Sequence, residues 1–394
     1  MLNSIRQLAF DQHNAIVEFR RYLHQHPELS FQEVNTAKHI AKELESIGIP
    51  FFDGIGGTGI LALIEGDVPG PTVGIRAELD ALPIQEQTEL KFASINANVM
   101  HACGHDVHMA NLIGAARILW KLRHLLKGNV LLIFQPGEEV LPGGAQSIIE
   151  SPEFNKYKPS LMLGMHILPE LTAGKVGFKS GAYMASGDEI YLKVKGKGGH
   201  AALPHTLIDT VLMASHIVVA LQQLVSRNSP VEIPTVLSFG KVIANGATNI
   251  IPDVVNIEGT FRTMDETWRE TAHDNIRKIA TGIAQGMGGE CEVEIRKGYP
   301  TLYNNPDFTR VVVDLTSEYM GTNNIVKLST RMTTDDFARF AQVIPSVYFR
   351  IGSGFPKGEA MVLHSSKLLV DEHVLEQSGG LLAWIAINML DKHL

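Results

Sequence analysis

The hydrophobic pattern divides the chain into two textures. Over residues 2–23 apolar positions recur at helical spacing, with Ile5, Leu8, Ala9, Ile16, Phe19 and Leu23 on one face. Pro27 ends that helix, because the residue before a proline is driven out of the helical region. Ser30 with Glu33 has the form of a capping box for a second helix, which runs to about Ile47 and stops at Gly48. His24 and His26 fall at the end of the first helix, where imidazoles bond nearby carbonyls. Continuous apolar runs at Ile60–Ile64, Thr72–Ala77, Val130–Gln135 and Leu161–His166 read as buried strands. The run Leu112–Leu119 reads as a helix.

From about Ala182 the pattern changes. Glu189–Lys195 alternates, as half-exposed antiparallel strands do. A Gly-rich turn over 196–199, a helix over 210–224, strands over 235–240 and 254–262, a helix over 266–287 and a strand over 291–296 complete a β-α-β-β-α-β order. After Tyr299 the first texture returns, with a helix over 311–320, a strand over 347–351 and a last helix. The expectation is an α/β fold: a catalytic domain with a mainly parallel sheet (1–181 and 297–394) and an inserted ferredoxin-like α+β domain (182–296).

Composition narrows the class. The 394 residues are 45% hydrophobic and 19% charged, as expected of a globular protein with a real core. The net charge is -8 and there is no Lys/Arg block, which argues against nucleic acid or an anionic membrane as partner. Two cysteines rule out a disulfide framework and fit a reducing compartment. With no signal-like apolar core and no window apolar enough to span a membrane, the expectation is a soluble cytoplasmic protein.

Chemistry gathers in Met100–Met109, MHACGHDVHM, where Cys103 and His105 stand two residues apart around Gly104. A thiolate and an imidazole so spaced can share an ion if the backbone turns, and a helix N-terminus just beyond would help hold the thiolate. Asp80, Glu138, Glu139 and His166 each follow an apolar strand, and His364 lies in a loop before the last helix. Parallel strands bring such ends to one edge. Cys103, His105, Glu139, His166 and His364 then offer five donors, which suit one open catalytic metal or two metals sharing a ligand. The mixed donor set suits zinc without excluding manganese, nickel or cobalt. Glu138 is left over as a general base for hydrolysis, and Arg262 is of the type that clamps a substrate carboxylate. Neither a Gly-x-Ser-x-Gly elbow nor a P-loop is present, which disfavours serine-triad and nucleotide chemistry. Cys103 as a nucleophile would leave the carboxylates unexplained.

Several motifs, in order, resemble one family. They are Arg20–Ser30, GIRAELDALP over 74–83, Met100–His108, QPGEE over 135–139, GKGGHAA over 196–202, NIIPD over 249–253, GTFR over 259–262 and DDF over 335–337. Over essentially the whole chain the sequence is similar to the metal-dependent amidohydrolases that include bacterial aminoacylases, hippurate hydrolase, N-acetyldiaminopimelate deacetylase and auxin-conjugate hydrolases. The resemblance implies two divalent metal ions per subunit, manganese or zinc first and nickel or cobalt next, held by Cys103, His105, Glu139, His166 and His364. It implies Glu138 as base, Asp80 as a carboxylate beside the metal centre, and Asn249 and Arg262 as holders of the substrate carboxylate. It makes residues 182–296 a dimerisation domain that moves as a lid, with His200 reaching the site of a second subunit to stabilise the oxyanion. The implied substrate is a small N-acyl-amino acid. A metallo-exopeptidase acting on dipeptides is the alternative, and a non-catalytic binding protein on the same scaffold is a third reading. Glu78 and Leu79, Val107 and Asp335 depart from the residues common in relatives, which bears on the substrate more than on the reaction.

Overall fold

The computed structural model describes residues 1–357, 361–392 and 394. The chain forms two compact units: residues 1–181, 303–329 and 336–394 in one, and residues 182–302 with 330–335 in the other.

The first unit is built on an eight-stranded sheet. Helices α1 (Leu2–Gln25) and α2 (Val34–Ile47) precede strands β1 (Phe51–Ile55), β2 (Gly59–Glu65) and β3 (Val68–Glu78). Helix α3 (His105–Lys121) leads into β4 (Lys127–Gln135), and β5 (Leu161–Thr172) follows. The sheet order is β1-β2-β4-β3-β5, then Ser346–Gly354, Val176–Phe178 and Ile325–Lys327. The four central strands, β4, β3, β5 and Ser346–Gly354, run parallel. β1, β2 and Val176–Phe178 pair antiparallel with their inner neighbours, so the sheet is parallel only through its centre. That centre explains the continuous apolar runs. Leu131, Leu132, Ile133, Leu161 and Leu163 are fully buried, as strands covered on both faces must be. Helix α3 packs against α1 and the last helix, Val374–Lys392.

Three local expectations are corrected. Ser30 and Glu33 do not form a capping box. Glu33 is the N-cap residue of α2 without a side-chain cap, and both side chains turn toward other loops. His26 bonds the Tyr22 carbonyl as a helix-end residue should, but His24 is buried and pairs instead with Asp106 and Glu86. Also, β5 continues to Thr172, so His166 lies within a strand rather than at its end.

In the second unit a four-stranded antiparallel sheet has the order Thr235–Ala244, Val254–Thr263, Asp188–Lys195, Glu290–Lys297. With the helices Thr210–Leu221 and Glu266–Gly286 this is the β-α-β-β-α-β order, closed over its own core of Ile190, Leu192, Met213, Ile217, Phe261 and Ile276. The first helix stops at Leu221, and residues 224–228 continue as a wider helical turn.

Candidate active site

Four loops and strand β5 of the first unit carry the site. One loop follows β3, one precedes α3, one follows β4 and one holds His364. Strand alternation places Arg76, Glu78 and Asp80 to one side as β3 ends, with all three buried. Gly104 adopts φ +83° immediately before α3. A side chain there would place its Cβ 2.2 Å from Cδ1 of Ile167, so only glycine both makes this turn and lets β5 approach.

The turn sets Cys103 and His105 around one space. Cys103 Sγ lies 3.3 Å from His166 Nε2. His105 Nε2 lies 4.0 Å from Glu138 Oε2, and Glu139 Oε1 lies 3.3 Å from His364 Nε2. Donor atoms of Cys103, His105 and His166 fall within 4.8 Å of one another, as do those of Cys103, Glu139 and His364, and those of His105, Glu138 and Glu139. Six of the seven sequence-selected residues of this unit therefore meet, from four separate stretches of chain.

Hydrogen bonds settle how the imidazoles are turned. His105 Nδ1 donates to the Asp80 carbonyl at 2.8 Å, and His166 Nδ1 donates to the Ile167 carbonyl at 2.8 Å. A carbonyl can only accept, so both Nδ1 atoms carry protons and both Nε2 atoms face the shared space. His105 Nε2 is buried without a hydrogen-bond partner, which fits a cation at that position. His108 is different. Its Nε2 accepts the Ile167 amide at 2.9 Å and its Nδ1 donates to Glu78 at 2.8 Å, so both nitrogens are spent.

The electrostatics also suit a cation. Burial opposes charge on His105, but Glu78, Asp80 and Glu139 outweigh it and push the imidazole up to about 10. Burial and the Arg350 charge hold His166 well below its ordinary value, keeping it neutral. Burial and the carboxylates of Glu139 and Glu138 push the Cys103 thiol well up. The carboxylates of Glu138 and Glu139 work against the help that the helix N-terminus gives a thiolate. A thiolate needs a neighbouring cation to offset those carboxylates.

Asp80 is a hub. Its Oδ2 accepts from Ser30 Oγ at 2.7 Å and from the Glu139 amide at 2.9 Å, while its Oδ1 lies 3.2 Å from His105 Nδ1. Beneath it, Arg76 pairs with Glu78 and with Asp336, and Gln135 Nε2 donates to both oxygens of Asp336 at 2.8 and 2.7 Å. Sequence reading did not single out Arg76, Glu78, His108 or Asp336 as a network. The available signal was an arginine inside an otherwise apolar strand, which burial permits only with partners.

The remaining sequence-selected residues belong to the second unit. His200 lies on the short strand Gly199–His200, paired antiparallel with Ile250–Ile251, and Asn249 adjoins it through its carbonyl, which accepts the Ala201 amide at 3.0 Å. Both are exposed. Arg262 sits on the strand Val254–Thr263, half-buried, and its Nη1 is buried without a hydrogen-bond partner.

Residues 74–383 match the model of peptidase family M20/M25/M40. The chain belongs to that family. It is a metal-dependent amide hydrolase. N-acetylcysteine deacetylase of Bacillus subtilis is 38% identical over 96% of this chain and 98% of its own. Thermostable carboxypeptidase 1 of Saccharolobus solfataricus is 37% identical over 99% and 98%. Among solved structures, the Bacillus subtilis YXEP protein, described as a dinuclear metal binding peptidase from the M20 family, aligns with a TM-score of 0.82 and 35% identity over 96% of this chain and 98% of that one. In this M20 hydrolase no described helix is long and apolar enough to cross a membrane.

Proposed function

We propose that this M20 hydrolase cleaves the acyl amide of N-acyl-amino acids, releasing the free amino acid and a carboxylic acid. The observation that carries the reading is the position of Glu138. It is buried beside the donor cluster with Oε2 4.0 Å from His105 Nε2, while its neighbour Glu139 faces His364. This supports reading Glu139 as the carboxylate that binds and Glu138 as the one that moves a proton.

Cys103, His105, Glu139, His166 and His364 would hold two divalent ions, manganese or zinc before nickel or cobalt. This is supported by the orphaned Nε2 of His105 and by a donor set mixing thiolate, imidazole and carboxylate. Bound there, the ions would polarise the scissile carbonyl and acidify water. Glu138 takes the proton from the attacking water and delivers it to the leaving amine. Asp80 orients His105 and the Glu139 backbone. Arg262, with a buried unsatisfied guanidinium nitrogen, and Asn249 hold the substrate carboxylate. Residues 182–296 serve as a lid and join two subunits, and the exposed His200 reaches the site of a second copy to stabilise the oxyanion. Two buried, unpaired cysteines agree with a cytoplasmic setting.

The carboxypeptidase name of one relative favours a second reading, peptide substrates on the same site. Amino-acid release from N-acetyl, N-benzoyl and indoleacetyl amino acids beside plain dipeptides, after separate reloading with manganese, zinc, nickel and cobalt, decides between them. Release mainly from the acylated set supports the proposal, and release mainly from dipeptides moves the enzyme to the exopeptidases. Silence across the panel with metal bound points to an unusual amide substrate or to a binding protein.

A further inference from the structure

The segment 28–33 is strained at Phe31 and buried at Glu33 in a way that neither helix capping nor metal binding explains. Phe31 adopts φ +62°, a conformation that bulky residues rarely accept. Its amide donates to Glu33 Oε1 at 2.8 Å, so the strained residue is held by the side chain two positions on. Glu33 itself is fully buried, yet no Lys, Arg or His faces its carboxylate in the contacts it makes. The same Oε1 accepts the Gly137 amide at 2.8 Å, and Oε2 accepts from Thr58 Oγ1 at 2.6 Å.

Gly137 is the residue before Glu138. It takes φ +57°, and a Cβ on it would meet the Phe31 ring at 2.4 Å, so the ring lies flat against its backbone. On the other side of Glu138, the Glu139 amide is held at 2.9 Å by Asp80 Oδ2, which Ser30 Oγ also bonds at 2.7 Å. One short segment therefore reaches both flanks of the base, through Glu33 before it and through Ser30 and Asp80 after it. Backbone strain of this kind persists where the surroundings over-determine a functional geometry.

We propose that Glu33 is a positioning residue for Glu138: its buried carboxylate fixes the Gly137 amide, as Asp80 fixes the Glu139 amide, and so sets the direction in which the base projects. This rests on the reading of Glu138 as the base. Glu33 touches no reacting atom and no candidate metal ligand. It acts on proton transfer through the backbone and leaves the donor cluster to Asp80.

The side-chain chemistry supplies the test. Glu33→Gln keeps an oxygen at the Oε1 position for the two amides and turns its nitrogen toward the Thr58 hydroxyl, which can accept. Glu33→Asp draws the carboxylate back by one methylene, out of reach of Gly137. In the metal-loaded enzyme, Glu33→Asp is expected to lower kcat about tenfold to a hundredfold, the scale of a displaced catalytic group, with KM and bound metal close to those of the parent. Glu33→Gln is expected to recover most of that loss. Glu33→Ala should resemble Glu33→Asp. If Ala does not fold, the Asp and Gln pair still decides, because both keep a polar group in the buried site. The proposal is overturned if Glu33→Asp keeps the parent kcat, if Gln is as impaired as Asp, or if kcat falls only in proportion to folded fraction or bound metal. Glu138→Gln, assayed alongside, separates the two ideas. Normal turnover by that variant removes Glu138 as the base whatever the Glu33 series shows, whereas an inactive Glu138→Gln with an active Glu33→Asp removes only the role of Glu33.

Discussion

His105 and His108 share one helical face with ring centroids 5.5 Å apart, yet their Nε2 atoms have opposite fates: that of His108 accepts the Ile167 amide, and that of His105 has no hydrogen-bond partner. Sequence spacing cannot tell these histidines apart as ligands. Their partners can. His105→Ala is expected to weaken metal binding by more than the roughly 10–100-fold typical of losing an outer-shell partner, whereas His108→Ala should fall within that range. Titration calorimetry on the metal-free variants measures both, and equal losses would mean that His108 is also a ligand.

Glu138→Gln keeps the shape of the base and removes its ability to take a proton. A fall in kcat of about 10²–10⁴-fold is expected, with two ions still bound. Steady-state rates together with metal content after dialysis check it. A variant that loses metal in step with activity would assign Glu138 to binding instead.

The role given to His200 predicts complementation. His200→Ala and Glu138→Gln subunits, each impaired alone, should recover part of the parental rate once mixed into heterodimers, because one hybrid site then holds an intact base and an intact His200. Tagged subunits allow the mixed species to be isolated. No recovery in isolated heterodimers would place the action of His200 within its own subunit.

Asp106 joins α3 to α1, with Oδ2 at 2.7 Å from Arg20 Nε and 2.9 Å from His24 Nδ1. Burial opposes its charge, but Arg20 and His24 outweigh this and hold the carboxyl well below the usual carboxylate range. Its stabilisation is therefore complete above the unfolded-state value of about 3.9 and is lost as pH falls below it. His24 has the opposite sign. Burial and Arg20 oppose its charge, Asp106 and Glu86 favour it, and the net effect raises it. Its contribution is full below about 6.5 and is lost as pH rises through the raised folded value. Asp106→Ala should cost roughly 3–5 kcal/mol near pH 5, and the difference from the parent should shrink below about pH 4. Urea unfolding of both proteins in chelator, across that range, tests the sign. A difference that grows on acidification would refute it.

Gly104→Ala must place a methyl at φ +83° and against Ile167. The backbone alone is expected to cost about 1–2 kcal/mol, with more from the contact. A lower urea midpoint with an unchanged slope would show it. Because Cys103 and His105 flank this residue, metal affinity should fall with stability, which a second calorimetric titration checks.

Much of this protein was legible from its residues. The runs at Ile60–Ile64, Thr72–Ala77 and Val130–Gln135 became buried strands, because continuous apolar sequence between Gly and Pro has few other places to go. Alternation at Glu189–Lys195 became a strand with one face on a core. Cys103, His105, Glu138, Glu139, His166 and His364 could be named because chemistry restricts which residue types bind ions and move protons, and parallel strands bring their ends to one edge.

Tertiary structure alone decided the partners. Ser30 and Glu33 have the local form of a capping box, but the Asp80 carboxylate and the Gly137 amide compete for the same side chains and prevail. His24 looks like a helix-end histidine until Asp106, distant in sequence, reaches it. Which imidazole keeps a free nitrogen depended on the Ile167 amide, and burial together with carboxylates from another loop pushes the Cys103 thiol up. Residue types and spacing specify which groups have hydrogen bonds and charges to satisfy. Only the folded chain brings together the distant groups that satisfy them, because inside a core the cost of an unmet polar group outweighs the preferences of a local motif.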